Sequence, residues 1–362
     1  MARSRVTQAA SGDSVSVVIP CRNEGEAVVS LLDALCREAP PVHEIVVVDN
    51  ASSDDTAARV RAWTAAHPGA PLRFVTCVRI GQPAALNAGI RIATGDIIVR
   101  VDAHSRPDET YVPLAVATLQ ETEAGIVGGV WRIEPGSQTA TARAIAVAAS
   151  HPLGAGDAAY RIGGARPGRR AVDTVPFGCF YRSTWAALGG FNERILTNED
   201  YEFAYRVRRS GRQVILDPRM QCVYRARPTI GALGAQYFRY GWWKGQMLRW
   251  HPRSLRWRQA VPAGFVACLL ALLCVAPFVM AARAGLAALM ALYGGTLLAA
   301  GIKAGIDRRD AAISTILPAT FATIHVMWGL GALVNLFSAG RLPRAFGRLA
   351  RPHTPASEDI TA

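Results

Sequence analysis

No CxxC pair and no regular spacing occurs among the seven cysteines, Cys21, Cys36, Cys77, Cys179, Cys222, Cys268 and Cys274. That pattern argues against a zinc site or a disulfide framework and leaves reduced, structural thiols. No GxGxxG follows the first apolar run, so a dinucleotide-dependent enzyme is excluded. The first twelve residues have no apolar core of the signal-peptide kind, and the large polar part of the chain is therefore expected to stay in the cytoplasm. Nothing in the composition marks a disordered or fibrous chain. With 362 residues, 51% of them hydrophobic, there is room for one catalytic domain and something more. The formal charge of +13 is concentrated at positions 249–258 and 341–351, which flank an apolar block. Anionic lipid headgroups suit such a distribution better than nucleic acid does.

What is present divides between two solvents. Val15 to Pro20, Glu44 to Asp49, Leu72 to Cys77 and Asp96 to Asp102 are short β-branched runs between turn residues, which predicts strands. Glu26 to Arg37, Asp55 to Ala66 and Ala84 to Ala93 have helical spacing between them. Strands that are apolar throughout and alternate with helices predict an α/β, Rossmann-like, mostly parallel sheet buried on both faces. In such a sheet ligands bind at the carboxyl ends of the strands, where Arg22, Asn23, Glu24, Asp49, Asp102 and His104 stand. Gly154 to Val175 is rich in Gly and Arg without periodicity and reads as a mobile loop. Gln236 to Trp250 is amphipathic and carries Trp242, Trp243 and Trp250, as suits a membrane interface. Apolar segments at Ala260 to Ala282, Gly285 to Gly301 and Ala311 to Phe337 are each near the ~20 residues that cross a bilayer. Three crossings would put the basic tail outside, against the positive-inside tendency, so a re-entrant or interfacial segment stands as an alternative to one of them. The expected divisions are a flexible tail at 1–12, a catalytic domain at 13–230, an interfacial helix region at 231–259, a transmembrane region at 260–338 and a basic tail at 339–362.

The motifs SVVIPCRNE, EIVVVDNASSDDT, ALNAGIRIATGD, VRVDAH, GGFNE and NEDYEFAYRV follow one another between Val15 and Trp250. In this order they resemble family 2 glycosyltransferases of the GT-A fold, and most of all the succinoglycan-type exopolysaccharide members, where DAH stands in place of DxD. The resemblance implies inverting transfer of a hexose from a UDP-sugar to a polyprenyl-linked oligosaccharide at the cytoplasmic membrane. It also implies that Asp49 accepts hydrogen bonds from the donor's uracil and that Glu24, beside Pro20, contacts the nucleoside.

The chemistry asks for the same residue types. Glycosyl transfer leaves negative charge on a nucleoside diphosphate, which calls for a metal or a cationic clamp. Asp102 and His104, two apart at a strand end, can face one cation, Mg²⁺ or Mn²⁺, with the imidazole favouring Mn²⁺. The acceptor hydroxyl must lose a proton as it attacks, and Asp200, beside Glu199 at a helix start, is the expected base. One base without a carboxylate nucleophile means single displacement and inversion. Glu202 and Arg206 read as a surface i, i+4 ion pair. Gln246, Arg249 and Trp250 spell QxxRW, which resembles the motif of processive synthases, where Trp stacks on the acceptor sugar and Gln and Arg face the donor. A processive polysaccharide synthase is accordingly the alternative function. An interfacial basic-aromatic helix is the plainer reading of the same residues.

Overall fold

The computed structural model describes residues 13–37, 42–162 and 167–341. The β-branched runs form β1 (Val15–Cys21), β2 (Glu44–Asp49), β3 (Leu72–Thr76) and β4 (Ile97–Arg100). Helices α1 (Gly25–Leu35), α2 (Thr56–Ala66) and α3 (Gln82–Ile92) return the chain between them, so the four strands are parallel in the order β3-β2-β1-β4. Burial on both faces explains why β1, β2 and β4 are mostly apolar on successive residues. Val17 and Ile19 face one layer with Leu31, Leu32, Trp63 and Leu119, whereas Val18, Val46 and Val48 face the other with Leu86, Ile90, Phe203 and Val207.

Beyond β4 the sheet becomes mixed, within the mostly parallel arrangement that the sequence predicts. The chain continues through β5 (Arg106–Pro107), α4 (Tyr111–Thr122), β6 (Ile126–Glu134) and α5 (Ala140–Ser150). β8 (Cys179–Tyr181), from the PFGCFYR segment, inserts antiparallel between β4 and β6. β9 (Val214–Arg225) pairs parallel with β6 and antiparallel with β5. The expected loop from Gly154 to Val175 is partly ordered: α6 (Pro152–Ala155) reaches its start, and α7 (Ala159–Ile162) and β7 (Arg170–Ala171) lie within it, β7 on β9. Residues 163–166 lie outside the described residues. Helix α8 (Arg182–Ala187) follows β8, and α9 (Glu199–Arg209) precedes β9.

Four long helices complete the chain: α10 (Ile230–Trp250), α11 (Trp257–Val275), α12 (Met280–Arg308) and α13 (Ala311–Phe337). The last three are long and apolar enough to cross a membrane, and the second is longer than the sequence run alone indicates. It begins at Met280 because Arg283 spends its charge on the Ala276 and Pro277 carbonyl oxygens, at 2.8 Å each, and so does not end the apolar stretch.

The tryptophans of helix α10 differ in exposure, Trp243 being half-buried and Trp250 exposed. The helix packs along α13, and Trp242 is only 4% exposed, so no lipid surface can reach it. The helices approach so closely because Gly241 and Gly331 meet opposing backbone: a methyl on Gly241 would clash with the Trp328 carbonyl and one on Gly331 with that of Phe238. Gly241→Ala is therefore expected to cost about 1–3 kcal/mol by forcing this crossing apart. Thermal unfolding in detergent reads it as a lower midpoint; an unchanged midpoint would show that the helices do not meet there.

Candidate active site

Short side-chain bonds assemble the rim at the strand ends. The β1–β2 register sets Cys21 opposite Asp49, which brings the loops after both strands to one level. Asn23, in the left-handed region at φ 55°, accepts from the Ser53 amide at 2.8 Å, and the Glu24 amide donates to Thr56 Oγ1 at 2.9 Å. Asp49 is 5% exposed and accepts from the Ser52 amide at 3.3 Å, an Asx-type turn bond that leaves lone pairs free. Asn50 accepts from the Gly81 amide at 2.7 Å and donates to the Arg79 carbonyl at 2.8 Å, tying this rim to the start of α3. Pro20 is buried beneath the rim, and Arg22 Nε is buried without a hydrogen-bond partner.

Beside the rim opens a cavity of about 690 Å³ that runs from Asp102, His104, Glu199 and Asp200 to Phe265, Tyr293 and Trp328 of the apolar helices. Arg100 organises its polar end. The guanidinium donates from Nε to Asp102 Oδ1 at 3.0 Å and pairs through Nη2 with Glu199 Oε1 at 2.9 Å, while Nη1 is buried with no partner. Gln82 Nε2 adds a second donor to Asp102 Oδ1 at 2.9 Å. Burial alone would raise the Asp102 pKa, but the charges of Arg100 and His104 outweigh it and hold the carboxyl below its ordinary value. His104 Nδ1 meets Glu24 Oε1 at 3.1 Å and so joins the rim to the cavity.

The two neighbouring carboxylates differ. Glu199 is 4% exposed and committed to Arg100, whereas Asp200 faces the cavity, half-buried, without an ion pair. Burial raises the pKa of both above their usual values, that of Glu199 to about 7, and Arg100 opposes it. For Asp200 burial thus outweighs the helix terminus, which the sequence alone suggests would favour the charged form; the result is a stronger base. Neither Thr197 nor Asn198 caps α9: the Asn198 amide donates instead to the Tyr240 carbonyl at 3.2 Å, and Asp200 Oδ1 accepts from the Tyr201 amide at 2.7 Å.

Glu202 and Arg206 are no surface pair. Glu202 is 1% exposed and receives Arg206 Nε at 2.8 Å, with His251 Nε2 3.0 Å away, and Arg206 also donates to the Leu188 and Gly190 carbonyls at 2.7 Å each. The pair locks the GGF turn to α9. The basic run at 249–258 is likewise turned inward in part, with Arg258 bound to Asp157 and Asp173.

The structure does not bring the QxxRW residues to this cavity. On α10, Gln236, Tyr240 and Lys244 share the face toward it, and the helical period turns Gln246 and Arg249 away. Gln246 Oε1 accepts from Asn335 Nδ2 at 3.2 Å, Arg249 Nη2 donates to the Asn335 carbonyl at 2.7 Å, and Trp250 is 36% exposed. These residues hold the end of α13. Arg249→Ala should therefore lower stability by about 1–3 kcal/mol and leave nucleotide affinity unchanged. A calorimetric loss of nucleotide binding with an unaltered unfolding midpoint would contradict that.

Asp102, His104, Glu199 and Asp200 do converge, Arg100 and Gln82 join them, and Asn50 braces the adjoining rim, none of these three having been singled out from sequence. Arg100 had a legible signal, a charge inside an apolar strand; the two amides had none. Among the described residues no group of three or more His, Cys, Asp and Glu side chains could hold a metal ion. The donor set still fits Mg²⁺ or Mn²⁺, which keep waters and share phosphate oxygens, because Asp102 stays ionised and its Oδ2 accepts only a long bond, from Arg100 Nη2 at 3.4 Å, which leaves it a lone pair.

Residues 16–185 match the family model described as Glycosyl transferase family 2. The succinoglycan biosynthesis protein ExoA of Rhizobium meliloti (strain 1021) is 25% identical over 327 residues, which cover 87% of this chain and 92% of that protein. A dolichyl N-acetyl-alpha-D-glucosaminyl phosphate 3-beta-D-2,3-diacetamido-2,3-dideoxy-beta-D-glucuronosyltransferase of Methanococcus voltae is 25% identical over 267 residues, covering 72% of this chain and 81% of its own length. Among solved structures, the mannosyltransferase PcManGT of Pyrobaculum calidifontis in complex with GDP-Man and Mn²⁺ has a TM-score of 0.58 and 25% identity, over 90% of this chain and 87% of that one.

Proposed function

We propose that this chain, which carries a glycosyl transferase family 2 domain of GT-A fold at residues 16–185, moves a single hexose from a UDP-sugar to a polyprenyl-linked oligosaccharide, with inversion, at the cytoplasmic face of a membrane crossed by α11, α12 and α13. One observation carries this reading: a single cavity joins the carboxylates of the polar end to aromatic side chains of the membrane-type helices. A soluble acceptor would have no use for the second end. The succinoglycan biosynthesis protein and the dolichyl-phosphate-linked transferase among its relatives support an acceptor on a lipid and a role in exopolysaccharide assembly.

The residues divide the work by their surroundings. Asp49, buried at the rim with lone pairs to spare, accepts from the base of the donor, and Glu24, Pro20 and Arg22 line the nucleoside's place. Asp102 and His104 would hold a divalent cation, Mn²⁺ or Mg²⁺, which when bound would supply neutralising charge for the departing diphosphate. The unpartnered Arg100 Nη1 offers a further donor there. Asp200, unpaired and strengthened as a base by burial, takes the acceptor proton. Glu199 cannot serve as a second, nucleophilic carboxylate while it neutralises Arg100, which leaves single displacement and hence inversion.

The GDP-Man complex of the solved mannosyltransferase favours a second donor reading, a GDP-sugar. Hydrolysis of a panel of nucleotide sugars by the purified protein with Mn²⁺ separates them. Turnover of UDP-hexoses is expected; turnover of GDP-mannose alone would move the donor to that class, and turnover of none would remove the transferase site from this cavity.

A further inference from the structure

Charge is matched in one part of the cavity wall and unmatched in another. Arg100 is answered by Asp102 and Glu199, and Arg258 by Asp157 and Asp173. Arg161, Arg227 and Arg239 line the same cavity, and among the described residues none of them has an ion pair with a carboxylate. Arg161 is held by neutral rings instead, its guanidinium 5.0 Å from the Trp131 ring centre and 5.5 Å from that of Tyr160, with Nη1 donating to the Tyr237 hydroxyl at 3.3 Å. Arg239 is only 8% exposed and makes no hydrogen bond among the described residues. Arg227 Nε is buried without a partner. Tyr240 stands among the same residues: its ring lies 5.6 Å from that of Tyr237, and Gln236 Nε2 donates to its hydroxyl at 3.0 Å and to that of Tyr224 at 2.9 Å, the Tyr224 ring being 6.0 Å from the Arg161 guanidinium.

Burying cations without counter-charge is costly, and a neutral aromatic cage does not neutralise them. The missing charge has to arrive with a ligand. Guanidinium groups bind phosphoryl oxygens in pairs, with charge-assisted bonds. The cavity that these arginines line runs from His104 and Asp200 at the polar end past Tyr240 to Phe265 and Trp328 at the apolar end. A ligand that fills it end to end has a hydroxyl-bearing head at Asp200, an anion in the middle and a hydrocarbon tail between the apolar helices.

We propose that Arg161, Arg227 and Arg239 form a phosphoryl-binding site for the phosphate or diphosphate of the lipid-linked acceptor. The assignment rests on the transferase reading above and narrows it: with the phosphoryl group and the base in one cavity of about 690 Å³, the glycan between them is short. The diphosphate of the donor is a second source of the same chemistry, and the test separates the two.

Binding is measured on the full chain in nanodiscs without turnover, using radiolabelled undecaprenyl diphosphate as one probe and UDP with Mn²⁺, by calorimetry, as the other. Arg227→Gln and Arg239→Gln should each weaken undecaprenyl diphosphate binding about tenfold or more while UDP affinity is kept. Inorganic pyrophosphate should displace the lipid from the wild type. Arg227→Lys, which keeps the charge, should recover part of the loss. Weakened UDP binding with unchanged lipid binding gives the cations to the donor and overturns the proposal, as does lipid binding that no variant alters. The two readings fail separately: a wild type that turns over no nucleotide sugar refutes the transferase, whereas arginine-independent lipid binding refutes only this site.

Discussion

Asp200→Asn should lower the transfer rate by about 10²–10⁴-fold, the usual contribution of a general base. The replacement is nearly isosteric, and its side-chain oxygen can still accept from the Tyr201 amide, so α9 keeps its start. What is lost is the ability to take a proton. Among the described residues Asp200 makes no ion pair, and Arg100 keeps Asp102 and Glu199, so donor affinity in the presence of metal should remain close to that of the wild type. Glu199→Gln should behave differently. It removes one of the two carboxylates that neutralise Arg100, and its main cost is to stability. If Asp200→Asn keeps most of its activity while Glu199→Gln folds normally and loses it, the base is Glu199.

Asp102→Asn should remove both turnover and donor affinity. Asp102 carries two tasks, holding the Arg100 guanidinium and offering a cation an ionised oxygen, and only the neutral amide survives to do either. Loss of one preorganised charge against the leaving group costs about 10²–10³-fold in rate. Chelation of the wild type should give the same loss, with Mn²⁺ restoring activity at least as well as Mg²⁺. The two perturbations should not add: calorimetry should find donor binding to Asp102→Asn insensitive to chelator. A variant that still binds donor in a metal-dependent way would place the cation elsewhere.

The parallel half of the sheet was legible because the runs of β1, β2 and β4 are buried on both faces and, with the edge strand β3, need no partner information. β8 was not, since three residues, Cys179 to Tyr181, give no periodicity, and their place between β4 and β6 is decided by tertiary pairing. Asp102, His104 and Asp200 could be read from chemistry and spacing, because each stands at the end of a recognisable element. The roles of their neighbours could not. Glu202 and Arg206 look like a surface pair at i and i+4, and only the packing of α9 against the GGF turn and His251 shows them to be buried. The tryptophan-rich segment before the apolar block misleads in the same way: α13 covers the face that composition alone offers to lipid. Arg161, Arg227 and Arg239 are scattered over α7, the turn after β9 and α10, so no sequence window contains them together. Positions 342–351 of the basic tail lie outside the described residues.

The most direct measurement places labelled UDP-hexose, Mn²⁺ and a membrane fraction containing undecaprenyl-linked glycan with the purified chain in nanodiscs, and asks where the label goes. It should enter the organic extract, and mild acid should release a glycan longer by one sugar, with the anomeric configuration inverted relative to the donor. A ladder of long water-soluble chains would make this a processive synthase instead, and label that never enters the lipid fraction would contradict transfer to a lipid-linked acceptor.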